Sequence, residues 1–412
     1  MKSGWKSSTL GDVLAVLRNG INCKQDKSGQ GEKISRIESI SNASFDFGKV
    51  GYASLSERDK ERYRLRRGDI LFSHINSAAH VGKTAVFDGA EPVYHGVNLL
   101  LLRPKGIVAS AYLDYALKYL FQSGYWRGAC KQSVNQASVN QQDISRVLIR
   151  YPQSLSEQQR IVGILDEAFE GIATAKANAE KNLQNARAVF ESQLDSIFAQ
   201  RGEGWVEKSV SELVAEGAIF KPFDGNHGEI HPRKADYAES GVPFIMASDL
   251  KSGSVDTENC KFISRKLADS LRVGFAKQGD VLISHKGTIG RSAIVKTNDD
   301  YVMLTPQVTS YRVKDASKLF NRFIRYYFLS PAFQREMIAS AEGGATRAYV
   351  GITKQLTLRF RFPSLNQQRD IAVKLDALSP ETQRLASIYQ HKLAALAALK
   401  KSLLYQAFTG SL

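Results

Sequence analysis

Two blocks of the chain carry apolar residues at the three- and four-residue spacing of amphipathic helices. The first block spans residues 153–200 and the second spans residues 363–412. Such a stripe lies along one helix face and needs a partner surface, so each block is predicted to be a long helical region. The stripe residues that we assign to partner docking and helical spacing are Ile161, Leu165, Ile172, Leu183, Leu194, Ile371, Leu375, Leu385, Leu396 and Leu403.

Both helical blocks contain a predicted break at an equivalent place. Gly171 interrupts the first, and Ser379-Pro380 in the second has the form of an N-cap followed by proline at the first helical position. We therefore expect a short helix before a long one, with long helices near 172–198 and 380–408. Each would run about 40 Å, comparable to one turn of B-DNA at about 34–36 Å. Packed antiparallel as a coiled coil, they would hold the preceding domains apart; an ordinary helical bundle is the alternative.

The segments before the helical blocks, residues 1–152 and 201–362, mix strand-like and helical runs. They lack the regular βαβ alternation of a doubly wound sheet, and Gly and Pro punctuate them. The predicted fold is α+β, with two α/β domains alternating with the two helical regions. The apolar runs that predict strands are 69–75, 84–88, 97–104, 280–286 and 308–313, and helical stretches are expected near 110–123 and 317–339.

The chain also repeats itself. LSEQQRIVGILD, from Leu155, matches LNQQRDIAVKLD, from Leu365, and the same offset holds without a gap to the end of both blocks. In the preceding domains, residues 68–74 match 279–285, and 81–86 match 289–294. Chance similarity between Ala-, Leu- and Lys-rich helices is the alternative, but co-linear matches in both kinds of segment argue against it. The pattern predicts an internal pseudo-twofold repeat.

Positive charge is concentrated in the two α/β domains. The chain has a formal net charge of +15, of which residues 1–152 carry +9 and residues 201–362 carry +6, whereas the first helical block carries −3. This distribution favours contact between a polyanion such as double-stranded DNA and the α/β domains, while the first helical block faces another partner.

Two polar loops in each α/β domain are candidates for that contact. Residues 74–77 and 285–288 follow apolar strands, and a second loop at 132–142 corresponds to 343–349. Asn and Gln suit adenine and Arg suits guanine, so the copies are predicted to read different sequences; a solvated turn is the alternative for each residue. The candidate DNA-binding residues are His74, Asn76, Ser77, Lys83, Asn135, Gln136, His285, Lys286, Thr288, Arg291, Arg347 and Tyr349.

No motif nominates a catalytic, cofactor or metal site. The string VGKT at 81–84 lacks the earlier glycine of a phosphate-binding loop, because position 77 is Ser77. His227 and His231 lack the adjacent Glu of a zinc-protease helix, and no Asn-Pro-Pro-aromatic signature of an amino-methyltransferase occurs. The chain has three widely spaced cysteines, Cys23, Cys130 and Cys260, and this spacing predicts ordinary thiols.

Membrane insertion and secretion are not supported by the pattern of hydropathy. No run of eighteen apolar residues occurs, and the start MKSGWKSSTL has no apolar core of signal-peptide type. A cytoplasmic location is the expectation.

The repeat, the Gly-Asp-hydrophobic-Leu-x-Ser-His segments, the Gln-Gln-Arg helix starts and the ending QAFTGSL together resemble the specificity subunits of Type I restriction-modification systems. The resemblance implies that each α/β domain is a target-recognition domain that reads half of a bipartite, asymmetric DNA site. It also implies that the helical regions dock two methyltransferase subunits and fix the unread spacer. The sequence departs from the family's pattern at His74 and His285, where arginine is more usual, and at Pro380.

The same resemblance implies a non-catalytic chain in a larger complex that defends against foreign DNA. Motor-nuclease (restriction) subunits would join, and the assembly would be a DNA adenine methyltransferase and ATP-dependent endonuclease. S-adenosylmethionine, ATP and Mg²⁺ would bind the partner subunits. The alternatives are a stand-alone DNA-modifying enzyme with degenerate motifs, or a coiled-coil scaffold with incidental basic charge.

Overall fold

The computed structural model describes residues 4–27, 29–133, 136–199, 204–227, 231–251, 253–343 and 348–412. The chain folds as two compact units. The first comprises Met1–Glu180 and His391–Leu412, and the second comprises Lys181–Gln390.

The α/β part of the first unit is built from short strands and helices. Its strands are β1 (Trp5–Thr9), β2 (Leu14–Asn19), β3 (Glu32–Ile34), β4 (Gly51–Ala53), β5 (Ile70–Phe72), β6 (Ile75–Asn76), β7 (Thr84–Val86), β8 (Leu100–Pro104), β9 (Lys131–Ser133), β10 (Gln136–Ser138) and β11 (Leu148–Pro152). Its helices are α1 (Leu10–Val13), α2 (Glu57–Tyr63), α3 (Ser110–Gln122), α4 (Tyr125–Ala129) and α5 (Gln141–Ser145), with 3₁₀ turns at Ile37–Ile40 and Phe47–Lys49. The long helix α6 (Leu155–Ala199) follows.

A four-stranded antiparallel sheet in the order β2-β8-β5-β7 forms the centre of the first unit. Side chains alternate across it, as strand geometry requires. Ile70 and Phe72 pack with α3 in one apolar cluster, whereas Leu71 packs in a second cluster on the other face. Both faces are therefore buried, which explains why β5 and β8 read as continuous apolar runs. Strand β1 pairs antiparallel with β11, β3 pairs with β4, and β6, β10 and β9 form a separate ribbon.

The second unit has the same kinds of element. Its strands are β12 (Val206–Ser209), β13 (Phe223–Asp224), β14 (Tyr237–Ala238), β15 (Val242–Ile245), β16 (Leu250–Lys251), β17 (Ser254–Val255), β18 (Lys261–Ile263), β19 (Phe275–Ala276), β20 (Val281–Ser284), β21 (Ser292–Ile294), β22 (Val302–Leu304), β23 (Val308–Tyr311) and β24 (Arg359–Phe362). Its helices are α7 (Val210–Ala215), α8 (Arg265–Ser270), α9 (Asn321–Leu329), α10 (Pro331–Ala339) and α11 (Ile352–Gln355), with 3₁₀ turns at Lys234–Asp236 and Ala247–Asp249. The second long helix is α12 (Leu365–Thr409).

Two mixed sheets organise the second unit, in the orders β13-β23-β20-β21-β17-β16 and β14-β18-β15-β22-β19, and β12 pairs with β24. Strand β20 is central to the first sheet and antiparallel to both neighbours. Val281 and Ile283 face a cluster that contains Phe323, whereas Leu282 faces a third cluster.

The expected break in each helical block is wrong: α6 and α12 are each a single 45-residue helix. A Cβ at Gly171 would meet nothing within 4 Å, and glycine within a helix costs only about 1 kcal/mol. Pro380 removes a helical hydrogen bond, at a cost of about 3 kcal/mol. Nearby, the Thr382 hydroxyl donates to the carbonyls of Leu378 and Ser379, at 3.1 and 3.0 Å. The turns of α12 before Pro380 are packed in the core of the second unit. This packing outweighs the tendency of Pro380 to end the helix.

Within each unit, segments of both long helices share one core. In the first unit, Ile161 of α6 belongs to the same buried cluster as Leu404 of α12. In the second, Leu194 of α6 belongs to the same cluster as Leu375 of α12. None of the described helices is both long enough and apolar enough to cross a membrane.

A buried glutamine joins each helix start to its α/β domain. Gln158 Oε1 accepts from the N–H of Ala109 at 2.8 Å, and its Nε2 donates to the carbonyls of Ile107 and Pro152. Gln368 makes the corresponding three bonds in the second unit, to Phe320, Lys318 and Pro363. One glutamine of each Gln-Gln-Arg helix start thus has a structural role, because its amide binds the start of the helix to the α/β domain.

Candidate nucleic-acid interface

In the first unit the two predicted polar loops lie side by side. After β5, the chain forms β6, which pairs antiparallel with β10 so that Asn76 lies opposite Ala137. The N–H of Val139 donates to the carbonyl of His74 at 2.9 Å. Residues more than fifty positions apart in sequence therefore form one polar surface.

The second unit pairs its two loops in the same way. Lys286 forms an antiparallel bridge with Tyr349, the N–H of Gly287 donates to Ala348 at 3.1 Å, and the N–H of Val350 donates to His285 at 2.9 Å. Of the candidate DNA-binding residues, Asn135 and Arg347 lie outside the described residues.

The turn after β20 is closed by its own polar groups. Ser284 Oγ donates to the carbonyl of Thr288 at 2.5 Å and accepts from the N–H of Arg291 at 2.9 Å. Gly290 has φ +92°, and a Cβ there would lie 2.0 Å from Gln334 Oε1. In the first unit, Gly82 has φ +93°, and a Cβ there would lie 2.2 Å from the Trp126 ring. Gly82, the glycine of VGKT, is thus required by a tight turn that packs against Trp126.

Six candidates present exposed side chains on these turns and strands. They are Ser77 and Gln136 in the first unit, and Lys286, Thr288, Arg291 and Tyr349 in the second. Two more are half-buried and bonded within the chain. Lys83 Nζ donates to the carbonyl of Ser41 at 3.2 Å, and Asn76 Nδ2 donates to Ser73 Oγ at 3.3 Å.

Both candidate histidines are buried, His74 at 7% and His285 at 3% exposure. Thr309 Oγ1 lies 2.8 Å from His285 Nδ1 and accepts from Gln355 Nε2 at 2.9 Å. Burial lowers the pKa of His285 to about 4, although nearby Asp224 opposes the shift, and burial also lowers the pKa of His74. A neutral, enclosed imidazole suits support of the loop backbone; direct contact with DNA stays a prediction for both residues.

A cavity of 470 Å³ opens beside the paired loops of the first unit, and polar amides supply much of its lining. Asn19, at the end of β2, was not among the predicted residues; its position just after an apolar strand was the signal available. Amide groups can donate to and accept from base edges. The amide-bearing lining residues are Asn19, Asn140, Gln141 and Gln142.

Comparison with known proteins assigns both units to one family. The family model for the Type I restriction modification DNA specificity domain matches residues 2–184 and again residues 207–390. The chain belongs to this family. Among relatives, the putative type I restriction enzyme MjaX specificity subunit of Methanocaldococcus jannaschii is 31% identical over 99% of this chain and 93% of its own length. The EcoKI specificity subunit of Escherichia coli is 29% identical over 49% of this chain and 43% of its own length.

Solved structures share the fold of this specificity-domain protein. A chain solved in work on complex assembly and conformational transition of the type I R-M system has a TM-score of 0.73 at 17% identity, covering 100% of this chain and 99% of that one. The HsdS subunit from Thermoanaerobacter tengcongensis has a TM-score of 0.56 at 17% identity, covering 100% and 98%.

The residues of the predicted docking stripe of this specificity-domain chain differ in how far their side chains are exposed. Ile161, Leu165, Leu194 and Leu375 are buried in the cores of their own units; Ile172, Leu183, Ile371, Leu396 and Leu403 are half-buried, and Leu385 is 38% exposed. Other apolar side chains of the two helices are more exposed than Leu385 and were not selected from the sequence: Leu155, Val189, Val373, Ile388 and Tyr405. Spacing alone does not separate the face used within the chain from a face left open.

Among the described residues of this family member, no group of three or more His, Cys, Asp or Glu is arranged to hold a metal ion. His227 Nε2 lies 2.7 Å from Asp224 Oδ2, so this exposed histidine already has a carboxylate partner.

Proposed function

We propose that the chain reads a bipartite, asymmetric DNA site for the methyltransferase and restriction subunits of a Type I restriction-modification system. The observation that carries the proposal is the pairing of two polar segments at the same place in both units, where Val139 bonds His74 and Val350 bonds His285. Paired backbones hold side chains at fixed positions, as base recognition requires.

Different side chains in the two copies support an asymmetric target. The first unit exposes Ser77 and Gln136, whereas the second exposes Lys286, Thr288 and Tyr349. Uncharged donors and acceptors suit base edges, and a lysine also neutralises phosphate. Each unit then reads its own half-site, and the basic charge of both α/β segments supplies affinity for the backbone.

The helical regions are proposed to be an antiparallel coiled coil related by a pseudo-twofold. In support, the start of α6 shares a core with the end of α12 in the first unit, and the end of α6 shares a core with the start of α12 in the second. We propose that two methyltransferase subunits dock on the apolar side chains that these cores leave exposed, and that helix length sets the unread spacer.

The chemistry is proposed to belong to the partner subunits. S-adenosylmethionine would bind the methyltransferase subunits, and ATP and Mg²⁺ would serve the complete assembly. This chain would contribute no catalytic group, and the assembled complex would methylate adenine and cleave DNA.

The test is co-expression of the chain with its neighbouring methyltransferase subunit in a host without methylation, followed by mapping of methylated adenines. A bipartite site with an undefined spacer is expected. Absence of any such site in a complex that assembles would contradict the proposal.

Incubating the isolated chain with DNA, Mg²⁺ and S-adenosylmethionine separates a stand-alone enzyme, which gives product, from a specificity subunit, which does not. Absence of any salt-dependent DNA affinity would instead support a scaffold with incidental charge.

A further inference from the structure

A cavity of 510 Å³ in the second unit has a basic lining. It lies among Gly253, the start of α9 and the turn of α12 around Pro380. Its volume is in the range of small-ligand cavities, about 300–1,000 Å³. Among the described lining residues, three are cationic and one is a carboxylate. The cations are Lys296, Arg322 and Arg325, and the carboxylate is Asp376.

Arg325 is the central feature of this cavity. It is only 8% exposed, and among the described residues its buried Nε has no hydrogen-bond partner and no carboxylate lies within ion-pair distance of it. Its guanidinium carbon lies 4.6 Å from the ring centroid of Tyr326. A buried guanidinium without an anion is costly, because ring contact replaces only part of the lost hydration.

The backbone closes tightly on this guanidinium. Gly253 has φ +91°, and a Cβ there would lie 2.1 Å from Arg325 Nη2. Both the left-handed conformation and the close approach require glycine. The guanidinium is therefore held against the cavity wall in a fixed orientation.

The other two cations complete the lining. Arg322 forms an ion pair with Asp376, which also accepts from the Tyr326 hydroxyl at 2.7 Å, so Arg322 is oriented while its charge is partly offset. Lys296 is exposed and makes no ion pair with a described carboxylate.

The first unit supplies an internal comparison. Tyr115 donates to Asp166 at 2.5 Å, as Tyr326 does to Asp376, so the two junctions correspond. By this correspondence, Asp114 stands in place of Arg325. The match of residues 81–86 with 289–294, continued by two residues, puts Asp88 in place of Lys296. Two of the three cations of the cavity therefore have carboxylates at the corresponding positions of the first copy.

The first unit also fills the equivalent space. Phe169 stands where the second unit has Ser379, and its ring packs edge-on to Tyr115 at 5.5 Å. Asp114 is already paired, with Lys118 at 2.6 Å. The position of Arg325 is thus held by a paired carboxylate in the first copy, and the position of Ser379 by an aromatic ring.

We infer that this cavity binds a phosphate group through Arg325, Arg322 and Lys296. Arginine forks match the oxygen geometry of phosphate, and a dianion would offset the buried guanidinium charge. The phosphate belongs either to a small ligand such as a nucleotide or to a nucleic-acid backbone. The inference does not rest on the paired polar loops or on half-site recognition.

The experiment is calorimetric titration of the full-length chain with pyrophosphate and then with ADP. Saturable binding with one site per chain is expected. Lys296→Asp, which copies Asp88, should weaken it about tenfold or more, because a charge-assisted contact becomes a repulsion. Arg325→Gln and Ser379→Phe should abolish it, and Lys296→Asp keeps the test valid if either of these fails to fold.

Two controls match the charge changes. Lys374→Asp makes the same substitution on the exposed side of α12, and Asp88→Lys alters the first unit; both should leave the affinity unchanged. No saturable binding of either phosphate probe, or an equal loss in Lys374→Asp and Lys296→Asp, would overturn the inference. Displacement of pyrophosphate by an unrelated DNA duplex would identify the phosphate as that of a nucleic-acid backbone, and retention of pyrophosphate would identify a small ligand.

Discussion

The N–H of Val350 donates a 2.9 Å hydrogen bond to the carbonyl of His285 and joins the two polar segments of the second unit. The imidazole of His285 is buried, and its Nδ1 lies 2.8 Å from Thr309 Oγ1. The backbone that carries the exposed candidates Lys286 and Thr288 is therefore supported by a group that must stay neutral.

The first prediction concerns pH. The pKa of His285 is about 4 in the folded chain and about 6.5 when unfolded. Between these values the unfolded state binds a proton that the folded state does not. The stabilising contribution is thus fully present above about pH 6.5 and is lost as the pH falls to about 4, by up to about 3 kcal/mol.

Urea unfolding at a series of pH values between 7 and 4 measures this contribution. His285→Gln should flatten the decline in the free energy of unfolding, whereas His80→Gln, at an exposed position, should not. Equal slopes in the wild type and His285→Gln would contradict the assignment. His95, also buried with a lowered pKa, is present in all three proteins and cancels in the comparison.

The second prediction concerns the glutamine at the start of α6. Gln158→Ala removes three hydrogen bonds and leaves one buried N–H and two carbonyls without that partner, which should cost about 3 kcal/mol. Thermal unfolding of the variant measures the loss. Gln159→Ala, one position on and exposed, should stay within about 0.5 kcal/mol of the wild type; a comparable loss there would assign the effect to helix propensity.

The third prediction concerns an ion pair in the second unit between the residue before β20 and the residue after β23. Arg312 binds both oxygens of Asp280 at 2.8 and 2.7 Å, and Asp280 is 2% exposed. Arg312→Met should destabilise the chain by about 3–5 kcal/mol, because a buried carboxylate loses its cation. Adding Asp280→Asn should recover part of the loss.

Arg384→Met is the matched control, because Arg384 pairs with Glu381 at an exposed site on α12. It should cost at most about 1 kcal/mol. Urea unfolding of the wild type, Arg312→Met, the double variant and Arg384→Met gives the four free energies of unfolding to compare. Equal losses in Arg312→Met and Arg384→Met would show that burial of Asp280 has no energetic consequence.

Two Ser-Pro pairs show how far sequence patterns predict this fold. Ser330-Pro331 separates α9 from α10, with Ser330 Oγ accepting from the N–H of Phe333 at 3.3 Å, although the apolar pattern predicts one helical stretch over 317–339. The sequence also predicts a helix start at Ser379-Pro380, but this pair lies inside α12, where Ser379 Oγ accepts from Gln383 instead. The dipeptide is the same, and tertiary packing decides whether it caps a helix.

Apolar runs and turn residues predicted most of the other elements. The segments 69–75 and 280–286 contain β5, β6 and β20, and 110–123 contains α3. The pairing of the polar loops and the burial of His74 and His285 depend on contacts far apart in sequence, which local patterns do not encode. The basic cavity was missed because its cations are scattered along the chain.

The fourth prediction concerns recognition by the second unit. Lys286→Ala with Thr288→Ala, both exposed, should impair reading of one half-site while the other half-site and subunit assembly are kept. Loss of the Lys286 contact should reduce the slope of log affinity against log salt by about 1. Methylation mapping and binding at several salt concentrations measure both effects, with Lys374→Ala on α12 as control. Loss of assembly would show that these residues are structural.

The final prediction concerns helix length. Deleting four residues between Leu183 and Leu194 of α6 and four between Leu393 and Leu404 of α12 removes about one turn from each helix, or about 6 Å. If paired helices set the spacer, the methylated site should keep both half-sites and lose about two base pairs between them, since base pairs are spaced at about 3.4 Å. Four-residue insertions at the same places should lengthen the spacer equally. Deletion in α6 alone should mismatch the helices and reduce methylation. An unchanged spacer in a paired-deletion complex that still methylates would show that another part of the assembly sets the distance.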